Sequence, residues 1–305
     1  MIGLKSFHRA ILPGIMTLAL SGSPSLAQES YKSPEDAAAA LAAAVKSGPK
    51  DILKVLGRAA EDIVSSGDEV ADNDIRARFT SMYEAKHGIK AEGNKTAILM
   101  LGPEDFPFPI PLLNTKTGWE FDTAEGRIEV LRRRIGRNEL DAIQTALAYV
   151  DAQNEYADKD RGEGAGVYAQ RIVSSAGKKD GLFWRDDKDP SPLGELAAEA
   201  SREGYRAGDV GPAPYHGYYF HILKGQGRDA PGGALNYIVK GKMIGGFAMI
   251  AWPAEYGNSG IMTFMVNHAG TVYQKDLGKR TEFIAERTTL FDPDETWKKV
   301  DAAKP

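Results

Sequence analysis

The chain has 305 residues, a formal net charge of −4 and no cysteine. That length suffices for one large or two medium domains with cores of their own, and the missing cysteine excludes disulfides, thiolate metal sites and cysteine nucleophiles. The mildly acidic balance offers no broad basic surface for nucleic acid. At the start of the chain, Lys5 and Arg9 flank and precede the uncharged apolar run Ala10 to Leu20, which is too short to span a bilayer. Ser25 and Ala27 then place small residues at the two positions a signal peptidase reads. This pattern predicts a signal peptide over residues 1–27, cleavage between Ala27 and Gln28, and a soluble protein that is periplasmic or secreted. Later apolar runs are broken by charge or glycine, so no membrane span is expected in the mature chain.

Ser33-Pro34-Glu35-Asp36 is a helix start: serine caps, and proline occupies the first turn, where its missing N–H costs nothing. Gly48-Pro49 ends that helix, and Asp51 to Leu56 forms a second one, so the mature chain opens with a helical hairpin. Ile75, Phe79 and Met82 recur at helical spacing and predict a third helix up to His87-Gly88. Thr96 to Leu101 suits a strand. Phe106 to Leu112 alternates apolar residues with Pro107, Pro109 and Pro111, which predicts an edge strand blocked against further pairing, with Gly118 to Phe121 as its hairpin partner. A polyproline recognition segment is the other reading of that run.

Asp122 with Glu125 forms a capping box for a helix whose buried stripe is Ile128, Leu131 and Ile135. Gly136 interrupts it, and Asn138 caps a longer helix to Tyr156 with Leu140, Ile143, Leu147 and Val150 on one face. A Gly-rich loop covers Arg161 to Gly166, a short helix is expected over Tyr168 to Ser174, and Asp180 to Pro192 is polar and turn-rich. Strands are expected at Tyr218 to Leu223, Leu235 to Val239, Met243 to Trp252, Ile261 to Val266 and Thr271 to Gln274, with glycines in the turns between them. Gly245-Gly246 marks a bulge or a close backbone approach, and Asp292 to Glu295 starts a terminal helix. The expected class is α+β: an N-terminal helical hairpin with a short β-hairpin (residues 28–136), then a long helix packed on an antiparallel β-meander (residues 137–305).

Five segments carry a resemblance: Phe106 to Pro111, Arg134 to Leu140, Pro214 to Phe220, Gly241 to Phe247, and Ala251-Trp252-Pro253-Ala254-Glu255-Tyr256-Gly257. They resemble signature blocks of a bacterial exported family, domain of unknown function 2950, and the resemblance runs through nearly all of the mature chain. It implies export and no particular activity. The long helix, the Gly217 to Phe220 strand, the Trp252-Pro253 strand end and the Thr263-Phe264-Met265-Val266-Asn267 strand are also similar to the globular part of pilin-like and pseudopilin-like proteins. That second resemblance implies only a helix-on-meander shape, because the prepilin leader and long apolar first helix are missing.

Among candidate site residues, Glu255 and Tyr256 follow Trp252-Pro253 in a turn, where a carboxylate, a phenol and a ring could gather. His216 fits either a polar pocket or a half-exposed sheet position, and its odd separation from His221 in one expected strand puts the two on opposite faces. The histidines lack metal-ligand spacing, so neither a metal nor a cofactor is expected. Arg132-Arg133-Arg134 and Arg137 form either an anion site or surface ion pairs with Glu129 and Asp141, four residues away. Tyr215, Tyr219 and His221 share one strand face, while Trp252 and Tyr256 lie at the sheet end; these rings suit stacking on an envelope protein, a peptide or a glycan. The resulting expectation is a non-enzymatic binding or scaffolding protein of the cell envelope. The alternative is an envelope hydrolase-type enzyme using Glu255 with His216 or Tyr256.

Overall fold

The structure is a computed structural model that describes residues 28–186, 188–203, 205 and 213–300. The signal peptide expected over residues 1–27 lies outside the described residues. The chain opens with helices α1 (Pro34–Ser47) and α2 (Pro49–Leu56), followed by α3 (Glu61–Val64) and α4 (Glu69–Ala85). Ser33 caps α1 by accepting from the Asp36 amide at 3.0 Å, and Gly48, at φ +116°, separates α1 from α2. Strands β1 (His87–Glu92), β2 (Thr96–Leu101), β3 (Phe106–Pro107), β4 (Leu112–Asn114) and β5 (Trp119–Phe121) form an antiparallel sheet ordered β1-β2-β4-β5, with β3 also on β2. Buried Leu41, Ile52, Leu56, Ile110, Leu112 and Phe121 make the core between these helices and this sheet.

The proline-rich run differs from the single blocked edge strand expected of it. It pairs with β2 at both ends: β3 pairs with β2 alone, β4 is flanked on its other side by β5, and residues 108–111 between them belong to no strand. Proline removes donors without preventing its neighbours from pairing: the Phe108 amide still donates to the Leu99 carbonyl at 2.8 Å.

Helix α5 (Thr123–Ala157) is one 35-residue helix, about 50 Å long at 1.5 Å per residue. Two helices broken at Gly136 were expected. A mid-helix glycine costs only about 1 kcal/mol relative to alanine, and Asn138, expected as a cap, instead donates from its side chain to the Ser259 carbonyl at 2.9 Å. Of the expected stripes, Ile143 and Val150 are buried and Leu147 packs on the core, but Ile128 is 56% exposed and Leu140 63%, while Gly126, Arg134 and Asn138 are buried. At Gly126 a Cβ would stand 2.6 Å from the Ile110 Cα, so this residue lets the helix approach the first sheet closely.

After α5 the chain passes through loops and isolated bridges to α6 (Gly194–Glu203), which was not foreseen. Tyr168 to Ser174, expected as a helix, carries bridges to Met243 and Phe183 instead. Strands β6 (Tyr218–Leu223), β7 (Gly225–Gln226), β8 (Leu235–Asn236), β9 (Ile238–Val239), β10 (Lys242–Met243), β11 (Ala248–Pro253), β12 (Met262–Asn267) and β13 (Val272–Asp276) follow, then α7 (Thr281–Ala285) and β14 (Lys298–Lys299). The main sheet is an antiparallel meander ordered β14-β13-β12-β11-β6, and the short strands between β6 and β11 form two small ribbons. Gly245 and Gly246 precede β11, and a Cβ at Gly245 would meet the Asn236 carbonyl oxygen at 2.7 Å, a close backbone approach. Residues 292–295 form no helix; α7 and β14 bracket them. α5 lies along the meander and α7 packs on β11, whose every residue is buried. Since alternate strand residues point to opposite faces, both faces of the sheet are covered there.

Candidate functional site

The fold joins its two cores around the middle of α5. Arg134, only 6% exposed, donates to the backbone carbonyls of Asp62 (2.7 Å) and Ile63 (2.6 Å) and to the Asn258 side-chain oxygen. Asn258 donates onward to the Ser65 carbonyl at 3.0 Å and to Glu255 Oε2 at 2.6 Å. One turn further along α5, Glu139 accepts from the amides of Ile261 and Met262, both at 3.0 Å. The turn between β11 and β12 is thereby fastened to α5 and to the segment after α3. Burial pulls the Arg134 pKa down, and the charges of Asp72, Asp62 and Glu255 oppose that shift.

Asp68, 2% exposed, is the second fastening point. Its Oδ1 caps α4 by accepting from the Ala71 amide at 3.0 Å. Its Oδ2 accepts from the Tyr205 hydroxyl at 2.8 Å and from the Gly217 amide at 2.9 Å. Because one oxygen accepts from both, this buried carboxylate orients Tyr205 and the segment before β6 together.

That segment is a two-residue hairpin turn. Tyr215 and Tyr218 exchange backbone hydrogen bonds of 2.8 and 3.1 Å, and His216 and Gly217 both have positive φ, +48° and +73°. Type I′ turns require this at both central positions. A histidine held there is strained by about 1 kcal/mol or more. Gly217 has no alternative, because a Cβ on it would lie 2.5 Å from Asn138 Nδ2. The turn also overturns the strand placement of Tyr215 and His216: both precede β6, so neither follows its alternation with Tyr219 and His221.

The turn presents His216 into a cleft of about 510 Å3 between α4, the middle of α5 and α6. His216 Nε2 is 3.3 Å from Glu203 and Nδ1 is 3.8 Å from Asp141. Tyr215 lies 4.1 Å from the His216 ring, and Tyr205 stands edge-on to Tyr215 at 5.0 Å. Burial, then the charge of and hydrogen bond to Asp68, push the Tyr205 phenol well above its ordinary range. Burial and the charges of Glu203, Glu199 and Asp141 do the same at Tyr215. Both phenols therefore remain neutral donors at any physiological pH. Arg78, Arg137 and Asp74 also line the cleft, which thus carries groups of both signs.

Of the residues singled out from sequence, His216 and Tyr215 meet in this cleft. Glu255 and Tyr256 do not join them: the Glu255 carboxylate bonds to Asn258, and the Tyr256 hydroxyl to Asp276 at 3.2 Å. Tyr219 and Trp252 are cross-strand partners with ring centroids 5.8 Å apart, on the sheet face that also carries His221. Trp252 is buried there and Tyr219 half-buried, while His221 is partly covered and the most exposed of the three. Arg132 and Arg133 pair with Glu129 at 3.0 and 2.7 Å, as the helix spacing suggested. Asp141 faces His216 instead of Arg137. Asp68, Tyr205 and Glu203 were missed; only the Ser66-Gly67-Asp68 approach to α4 held a sequence cue, an aspartate at an N-cap. Among the described residues no group of three or more His, Asp or Glu side chains could hold a metal ion, and no helix is long and apolar enough to cross a membrane.

Comparison with known proteins gives one family, described as Protein of unknown function (DUF2950), whose model matches residues 28–300. No curated protein and no solved structure matches the chain.

Proposed function

We propose that this chain, which belongs to the DUF2950 family, is an exported envelope protein that binds a ligand without transforming it, in the cleft walled by Tyr205, Tyr215 and His216. The observation that carries the reading is the way the cleft is built. Its ring wall hangs on buried Asp68, and a histidine is kept at a strained backbone position so that its imidazole stands between Asp141 and Glu203. Strain of this kind persists where surrounding structure holds it and gathers at ligand sites. The volume falls within the range of about 300–1,000 Å3 common for small-ligand pockets.

Export is supported by the Lys5/Arg9 start, the apolar run and the small residues Ser25 and Ala27. The family match begins at residue 28, directly after the expected cleavage point. Mass spectrometry of the protein from its host envelope should find Gln28 at the N-terminus; an intact leader on the soluble protein counts against export. The hydrolase alternative needs Glu255 within hydrogen-bond reach of His216 or Tyr256, and their described hydrogen bonds and ion pairs go elsewhere. Binding is tested by retaining small molecules from an envelope extract on immobilised protein and on a Tyr215→Ala, His216→Asn variant. A compound held by the wild type and lost by the folded variant is expected. Identical sets, or turnover of the retained compound, would sink the reading.

A further inference from the structure

Beside the polar cleft lies a second one of about 310 Å3, inside the N-terminal core and walled by Ile52, Leu56, Phe79, Met82, Phe108 and Val130. Its walls come from α2, α4, α5 and the proline-rich run. Five arginines also line it (Arg76, Arg78, Arg133, Arg134 and Arg137) against one carboxylate, Asp72. Asp72 is already engaged by the Ser66 amide at 2.9 Å. Ile75, Arg78, Arg134 and Arg137 line both clefts, so an apolar chamber and a polar one share a threshold of guanidinium groups.

Two of these arginines have unused capacity. Arg134 is more than nine-tenths buried, and its Nε has no hydrogen-bond partner. Arg137 makes no ion pair among the described residues, whereas Arg78 pairs with Asp74 at 2.8 Å and Arg133 with Glu129 at 2.7 Å. Carboxylates line the polar side (Asp74, Asp141, Glu199 and Glu203), yet an apolar occupant alone would still leave Arg137 without an ion-pair partner among the described residues and Arg134 Nε without an acceptor. A wholly polar one would leave the apolar walls wet.

We propose that the two clefts form one site for a single-chain amphiphile with an anionic head, a fatty-acid carboxylate, whose hydrocarbon chain enters the apolar cleft and whose head meets Arg137 beside Arg134. The proposal rests on the reading that the junction cleft binds a ligand, and it names that ligand's class. Apolar burial supplies the driving force for the chain. The planar guanidinium fork suits a carboxylate, which it can hold through two parallel hydrogen bonds.

Calorimetric titration of the purified chain with dodecanoate, below its micelle concentration, tests this against dodecyltrimethylammonium, which has the same chain and a cationic head. One dodecanoate per chain is expected, at least tenfold tighter than the ammonium. Arg137→Glu, on an exposed part of α5, should weaken dodecanoate about tenfold without disturbing the fold. Ile75→Trp, at the shared and partly exposed threshold, should abolish it by filling the entrance. Equal affinity for the two heads, no binding of dodecanoate, or unchanged binding by Arg137→Glu would overturn the proposal. If dodecanoate fails while the extract experiment still yields a compound lost by the Tyr215→Ala, His216→Asn variant, this inference falls and the binding reading stands.

Discussion

Replacing Asp68 by alanine should be among the most damaging single substitutions in the chain, because one buried side chain serves three donors from three segments. Losing the cap at Ala71 costs about 1 kcal/mol. The Gly217 amide and the Tyr205 hydroxyl would each lose their acceptor, at about 1–3 kcal/mol for a donor left buried. Tyr205 is only partly covered and can recover some of this from water, so the total expected is about 3–4 kcal/mol. That is a large share of the roughly 5–15 kcal/mol by which domains are stable. Asp68→Asn separates the contributions. Asparagine caps as well as aspartate, but its amide nitrogen would occupy the Oδ2 position and face the Gly217 N–H, donor against donor. It should therefore cost about half as much as alanine. Urea unfolding of the three proteins, analysed at common slope, measures the difference. An Asp68→Ala protein within about 1 kcal/mol of wild type, or an Asp68→Asn protein as damaged as Asp68→Ala, would refute this role of Asp68.

Four further outcomes follow from the same geometry. His216→Asn should be neutral or stabilising by up to about 1 kcal/mol, since asparagine tolerates positive φ better, while ligand retention is lost; thermal melts beside binding measurements check this. Gly217→Ala should destabilise by more than about 2 kcal/mol, because φ is +73° and the new Cβ meets Asn138, and a melt at wild-type temperature would contradict it. The His221 imidazole is held below its ordinary value by partial burial and by the Lys224 charge. Falling pH thus protonates the unfolded chain first, and stability present above about pH 6.5 is lost as pH drops through the folded-state value; His221→Gln should flatten that part of the stability profile. Arg134→Met should destabilise by about 3 kcal/mol or more, since the Asp62 and Ile63 carbonyls and the Asn258 amide lose a charged donor, again measurable by urea unfolding.

Local rules were legible in the sequence wherever the deciding interactions lie within a few residues. Ser33-Pro34 starts α1, Gly48-Pro49 ends it, Asp122 caps α5, and the alternation from Tyr218 onward marks the sheet, so the α+β class followed from pattern alone. Three of the five segments resembling family signature blocks also proved to be structural neighbours. Arg134 and Asn138 from one block bond to Asn258 and Ser259, just after another, and Tyr215 and His216 belong to a third.

Elsewhere along the chain a distant partner decided the outcome. Gly136 did not break α5, and Arg134 went inward while Ile128 stayed out, because side chains on that helix face meet the Asp62 and Ile63 carbonyls and the turn after β11. Tyr215 and His216 left their expected strand because Gly217 permits a tight turn that Asp68, 149 residues away in sequence, holds in place. The cleft exists only once those contacts form, and no period or spacing encodes them. The residues themselves determined composition, the caps of α1 and α5 and the strands of the meander. Only tertiary structure decided which polar groups are buried, since burying a charge or a donor is tolerable only when partners from other segments arrive to meet it.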